Sequence, residues 1–155
     1  MGRNNSVDCI SRVYDTLASL VFVRSIRDCQ FHHLSQLTDA RRVLILGGGT
    51  GWFLEAVLKT TQAAEITYIE ASHEMLRMSR QRCRDIDGGR VVYVHGTQED
   101  IAGRSFDAVV ANFFLDLFTE TTLQQVVGVI DQGLAPDAKL LVSDFNQPHT
   151  FRHRL

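Results

Sequence analysis

The stretch Val43-Leu44-Ile45-Leu46-Gly47-Gly48-Gly49-Thr50-Gly51 confines this chain to few architectures. An apolar run rich in β-branched residues and ending in glycine predicts a strand buried on both faces, as in a parallel sheet. Trp52-Phe53-Leu54-Glu55-Ala56-Val57-Leu58 then predicts a helix. Glycines between the two let the backbone turn tightly and approach a ligand with no Cβ in the way. Strand, glycine loop and helix in that order make a site for a nucleotide-like ligand.

The spacing separates the ligand classes that use such a loop. A dinucleotide fingerprint needs G-x-G-x-x-G, its last glycine letting the helix pack closely on the strand beneath a pyrophosphate. Here the pattern is Gly47-x-Gly49-x-Gly51, and the third fingerprint position is Trp52, the bulkiest side chain available. Pyrophosphate binding is disfavoured. Downstream, Glu65-Ile66-Thr67-Tyr68-Ile69-Glu70 predicts a second strand ending in a carboxylate. Glu70 falls about 20 residues beyond the loop, where an acid at a strand's carboxyl end can accept hydrogen bonds from both hydroxyls of a ribose.

The loop Leu46-Gly47-Gly48-Gly49-Thr50-Gly51 resembles the first motif of class I S-adenosylmethionine-dependent methyltransferases, and the likeness runs from about Leu17 to Phe145, with the loop and Glu70 its most specific parts. It implies a doubly wound, mostly parallel α/β sheet, Rossmann-like, with S-adenosylmethionine as cofactor and S-adenosylhomocysteine as product. The cofactor-side positions it implies are Gly47, Gly48, Gly49, Thr50, Gly51 and Glu70, then Ala71 and Met75, with Thr97 and Gln98 beside the adenine and Asn112 at the methionyl end.

Asn112-Phe113-Phe114-Leu115 lacks the two prolines of the amino-directed methyltransferases that act on nucleic acids, which leaves an apolar, aromatic-rimmed site for a small-molecule acceptor. Asp116 is the best-placed acid near that mouth. Tyr14-Asp15 resembles the amino-terminal helix of the ubiquinone- and menaquinone-biosynthesis-type branch, where such a segment lies over the cofactor. Tyr14 and Asp116 are thus the catalytic candidates. The reaction implied is direct in-line methyl transfer, in which the protein aligns donor and acceptor and excludes water. Two rival readings stand beside it. A dinucleotide-dependent (NAD) oxidoreductase is supported by Glu70 and weakened by Trp52, and a non-catalytic cofactor-binding or interaction module is supported by the lack of a convincing acid or base.

The rest of the chain alternates between helix and strand, which predicts a layered α/β fold. Ile10, Val13, Leu17, Val21 and Ile26 recur at roughly helical spacing and predict one long helix or two joined helices over residues 7–37. Ser72 is placed to cap a helix in which Met75, Leu76, Ser79 and Cys83 face inward, while Arg77, Arg80, Arg82 and Arg84 form a solvated face. Arg90–His95 predicts the third strand, and Phe106–Asp116 a fourth strand with a polar-aromatic edge. Leu123, Val126, Val127, Ile130 and Leu134 form the apolar stripe of a helix from Thr119 to Leu134, followed by a turn at Ala135-Pro136-Asp137 and a fifth strand from Lys139 to Phe145.

At 155 residues the sequence reads as a single domain, residues 1–155. A formal net charge of -2 supplies no global attraction to nucleic acid or to an anionic membrane, so neither is an expected partner. Cys9, Cys29 and Cys83 are an odd, widely spaced set that suits reduced thiols, and Cys29-x-x-His32-His33 has no second ligand pair, so no metal site is expected. Met1–Ser6 lacks the apolar core of a signal peptide, and the expected location is cytoplasmic. The family usually continues past the fifth strand with a helix and two more strands. Their absence here would leave an apolar sheet edge at Leu140-Leu141-Val142, and the expectation is a homodimer through that edge or a domain that methylates poorly.

Overall fold

The strand expected at Val43 is the middle of the sheet. The computed structural model describes residues 25–144, apart from residues 64 and 102. Its strands are β1 (Arg42–Leu46), β2 (Glu65–Glu70), β3 (Val91–His95), β4 (Phe106–Asn112) and β5 (Leu134–Ser143). Its helices are α1 (residues 25–32), α2 (Trp52–Thr60), α3 (His73–Cys83) and α4 (Glu120–Gln132). The strands pair in the order β3-β2-β1-β4-β5, and every neighbouring pair is parallel. The chain steps outward from β1 to β3 and then returns to β4 on the other side of β1. That reversal opens a crevice at the carboxyl ends of β1 and β4, where ligands of such sheets bind.

Alternation along β1 divides the core between the two faces of the sheet. Val43 and Ile45 pack with Phe53, Leu54 and Val57 of α2 and Leu76 and Cys83 of α3. Leu44 and Leu46 pack with Val126 and Ile130 of α4. All four of these β1 residues are at most 2% exposed, as a strand covered on both faces requires. No described helix is long and apolar enough to cross a membrane.

Several boundaries differ from expectation for identifiable reasons. The amino-terminal helix does not continue to residue 37: α1 ends at residue 32, and a 3-10 turn at Leu34–Leu37 buries Leu37 under the sheet. The last helix stops at Gln132, not Leu134, because Gly133 caps it by donating to the Ile130 carbonyl at 2.9 Å. Leu134 instead opens β5 opposite Phe106, and the ladder then skips from Leu134 to Lys139. The expected turn at Ala135-Pro136-Asp137 is this irregularity within the strand, with Asp137 at φ 63°. Along α4, Val127 is exposed and Val129 takes the half-buried place against the core. β5 is an outer strand, on which Leu140 and Val142 are exposed.

Candidate functional site

Two side chains from one face of β2 hold the glycine loop. Positions 68 and 70 are two residues apart on a strand, so both point the same way. The Tyr68 hydroxyl donates to the Gly49 carbonyl at 2.8 Å, and the Gly49 N–H donates to Glu70 Oε2 at 2.9 Å. Glu70 Oε1 accepts from the Ser72 N–H at 2.8 Å, which joins the loop to the start of α3. Ser72 caps that helix as expected, its hydroxyl accepting from the Met75 N–H. Burial of Tyr68 raises its phenol far above the ordinary value, so it stays a hydrogen-bond donor at any ordinary pH.

The glycines serve different ends. A Cβ on Gly48 would overlap the Tyr68 ring, so that position must stay bare for the loop to lie on β2. Gly49 has φ +63° and nothing within 4 Å of where a Cβ would be, so its backbone faces open space. Gly47, Gly48, Gly49 and Thr50 together form the floor of a cleft of about 370 Å³. Met75 from α3 and Trp52 and Phe53 from α2 also line it. Met75 does not face inward with Leu76, Ser79 and Cys83: it is 44% exposed and lines the cleft, on the side where the resemblance put it.

The opposite wall is the end of β4. Asn112 is 9% exposed, and among the described residues neither its Oδ1 nor its Nδ2 has a hydrogen-bond partner. A buried amide left unpaired costs free energy that a bound polar group can recover. Phe113, next in the chain, has φ 52°, in the left-handed region a bulky residue seldom adopts, and it too lines the cleft. Strain of this kind is retained where a site needs a side chain aimed against the local backbone preference.

Other sequence candidates fall outside the cleft lining. Gly51 is buried, and a Cβ there would meet Ser79 of α3, so this glycine serves helix packing. Ala71 lies at the carboxyl end of β2, where its carbonyl is 2.9 Å from His95 Nε2. Thr97 and Gln98 follow β3 in a turn closed by the Thr97 N–H donating to Asp100 Oδ2. Asp116 is exposed on a 3-10 turn at Leu115–Leu117 and does not line the cleft, so it is not the acid at the mouth that the sequence suggested. Tyr14 lies outside the described residues. Among the described residues no cluster of His, Cys, Asp and Glu could hold a metal ion.

Arg82 corrects the expectation of a solvated arginine face. It turns inward, its Nε donating to the Thr50 carbonyl at 2.9 Å and its Nη1 reaching Glu55 Oε2 at 3.4 Å. The residues that sequence reasoning missed are Tyr68 beneath the loop and Ile26, Arg27 and Gln30 of α1, which complete the cleft. Their signal was available in part, as residue 30 follows 27 by three positions and 26 by four, which places it beside both on a helix.

The unpaired Asn112 amide yields a prediction. Asn112→Leu should leave the thermal midpoint of the free protein at or above that of the parent, because an apolar side chain of similar size removes two unsatisfied polar atoms. The same change should weaken S-adenosylhomocysteine binding, measured by calorimetry alongside the thermal scan.

Comparison with known proteins agrees with this geometry. Residues 44–140, more than half of the chain, match the family model described as a methyltransferase domain. The chain is 30% identical to the malonyl-[acyl-carrier protein] O-methyltransferase of Halalkalibacterium halodurans over an alignment covering 77% of this chain and 48% of that protein. It therefore spans about half the length of that relative. Among solved structures, YcgJ of Bacillus subtilis superposes with a TM-score of 0.68 at 20% identity, covering 80% of this chain and 53% of that one. The N-methyltransferase NodS of Bradyrhizobium japonicum, solved with S-adenosyl-L-homocysteine, gives 0.63 at 16% identity, covering 77% and 59%. These likenesses identify the fold, and the family match over the glycine loop and Glu70 identifies the lineage: the chain belongs to the class I S-adenosylmethionine-dependent methyltransferases.

Proposed function

We propose that this domain binds S-adenosylmethionine and transfers its methyl group to a small-molecule acceptor entering the cleft between β1 and β4. The observation that carries the reading is the Asn112 amide, buried and unpartnered on the wall facing the glycine loop. The remaining residues fit the same group. Glu70 spends one lone pair of each oxygen on backbone N–H groups and keeps further acceptor capacity for a ribose diol. Gly49 offers bare backbone, and Met75 and Phe113 offer apolar surface.

When bound, S-adenosylmethionine supplies an electrophilic methyl on its sulfonium sulfur, and S-adenosylhomocysteine is what remains after transfer. The protein's share is to orient the reactants and keep water out, for which Trp52, Phe53 and Phe113 provide bulk at the cleft. Among the described residues lining the cleft there is no carboxylate, imidazole, thiol or amine to take a proton. The reading is therefore of an acceptor whose nucleophile already holds a free lone pair. The oxygen-directed relative from Halalkalibacterium halodurans supports that class of acceptor.

Calorimetric titration of the purified chain with S-adenosylhomocysteine and, separately, with NAD tests the cofactor. The expected result is saturable binding of the first and none of the second; binding of NAD alone would restore the oxidoreductase reading. Release of S-adenosylhomocysteine from S-adenosylmethionine across a panel of small acceptors then separates an enzyme from a binding module.

A further inference from the structure

With Arg82 turned inward, α3 keeps three arginines on its outer side. Arg77, Arg80 and Arg84 fall at i, i+3 and i+7, one face of the helix, and all three line a groove of about 590 Å³ along β3. Asp87, Val91 and Tyr93 line it as well. In a chain of net charge -2 this is a local concentration of positive charge against the balance of the molecule.

The neighbouring carboxylates do not cancel it. Asp87 is engaged in its own turn, accepting from the Gly89 N–H at 3.0 Å. Glu74 accepts from Arg77, and Asp85 lies 3.5 Å from Arg84, but both pairs are largely exposed, where solvent and salt screen them. Arg80 forms no ion pair among the described residues. Its guanidinium carbon lies 5.2 Å from the centroid of the Tyr93 ring, and its Nη2 reaches the Tyr93 carbonyl only at 3.5 Å, the long limit of a hydrogen bond.

That carbonyl belongs to a sheet edge. Among the described residues β3 is an outer strand, joined to β2 alone. The Arg90 carbonyl and the Gly96 N–H both bond to β2, so alternation turns the backbone groups of Val92 and Val94 inward and those of Val91, Tyr93 and His95 outward. An unpaired edge of this kind is a template for another strand, and Val92 adds an exposed apolar side chain on the face away from α3.

Charge and spacing say what such a strand would carry. Arg77 and Arg84 are about 10 Å apart along the helix axis, and side chains on one face of a strand recur about every 7 Å. Two or three acidic residues at alternate positions would meet the row of guanidinium groups while backbone bonds form along β3. Nucleic acid fits less well, because phosphate oxygens only accept and would leave the outward carbonyls of β3 without donors.

We propose that the free edge of β3 and the arginine face of α3 form a docking site for an extended acidic segment of another protein, which joins the sheet as an added strand. An N–H of that segment takes the Tyr93 carbonyl from Arg80, and Arg80 turns to a carboxylate.

The test uses the full chain and a fluorescein-labelled short peptide of alternating glutamate and valine, with binding read by fluorescence anisotropy. Saturable binding that weakens as salt rises is expected, and the same peptide with glutamine for glutamate should bind at least about tenfold more weakly. Arg80→Gln should lower affinity roughly tenfold, and the triple change Arg77→Gln, Arg80→Gln and Arg84→Gln should abolish binding. None of the three lines the cofactor cleft, so each variant should keep the parent's thermal midpoint and its affinity for S-adenosylhomocysteine. Strand addition has its own signature: amide hydrogen exchange at Val91, Tyr93 and His95, followed by NMR, should slow at least about tenfold on saturation with the peptide. Binding with no slowing at those amides would overturn the added strand. No binding of the peptide, equal binding of its glutamine form, or saturable binding of a single-stranded oligouridylate in its place would overturn the acidic segment as the occupant.

Discussion

Glu70→Gln is expected to lower affinity for S-adenosylhomocysteine about ten- to a hundredfold while leaving a folded protein. The side chain keeps its size, so packing around a residue that is only 7% exposed is preserved. What changes is its hydrogen-bonding sense. The carboxylate accepts from the Gly49 and Ser72 N–H groups, one on each oxygen. An amide in its place presents an NH2 to one of those two donors, and the loop must move or lose that bond. Hydrogen bonds to a charged group contribute roughly 1.5–3 kcal/mol each, so losing the charge at the ribose position alone accounts for the expected decrease. Calorimetry reads the affinity, and circular dichroism with a thermal scan reads the fold. Unchanged affinity in a folded variant would take Glu70 out of the site.

The parts of the molecule that were legible in the sequence are those whose causes are local. Val43–Leu46 had to be a buried strand because it is apolar at both parities, and it is covered on both faces. Ser72 was recognisable as a helix start because capping is decided within a few residues. What stayed hidden depended on which neighbour a side chain meets. Arg82 looks like Arg77, Arg80 and Arg84 in sequence, and only the placement of α2 beside α3 gives it Trp52, Glu55 and the Thr50 carbonyl. Leu134 continued the α4 stripe by spacing, yet the cap at Gly133 gives it to β5. Asp116 was placed at the mouth by its distance along the chain. The positive φ of Phe113 and the 3-10 turn after it carry Asp116 to the surface.

Gly48→Ala should be more damaging than Gly49→Ala, although both change one glycine of the same loop. A Cβ on Gly48 meets the Tyr68 ring, and that ring has nowhere to retreat. Tyr68 is fully buried, packs edge-on against Tyr93 with centroids 5.8 Å apart, and is tied to the Gly49 carbonyl by its hydroxyl. Forcing a methyl into such packing costs about 1–3 kcal/mol. The loop can relieve the overlap only by lifting away from β2, which also pulls Gly49 from Glu70. The expected result is a lower thermal midpoint together with weakened S-adenosylhomocysteine binding. Gly49→Ala meets no atom within 4 Å and bears only the strain of its φ of +63°, on the order of 1–2 kcal/mol. Tyr68→Leu combined with Gly48→Ala separates overlap from strain, because removing the ring makes room for the methyl. The double variant should then be less destabilised than the sum of the two single changes. Additive losses in thermal or denaturant unfolding would show that the ring beneath Gly48 is not what keeps this position bare.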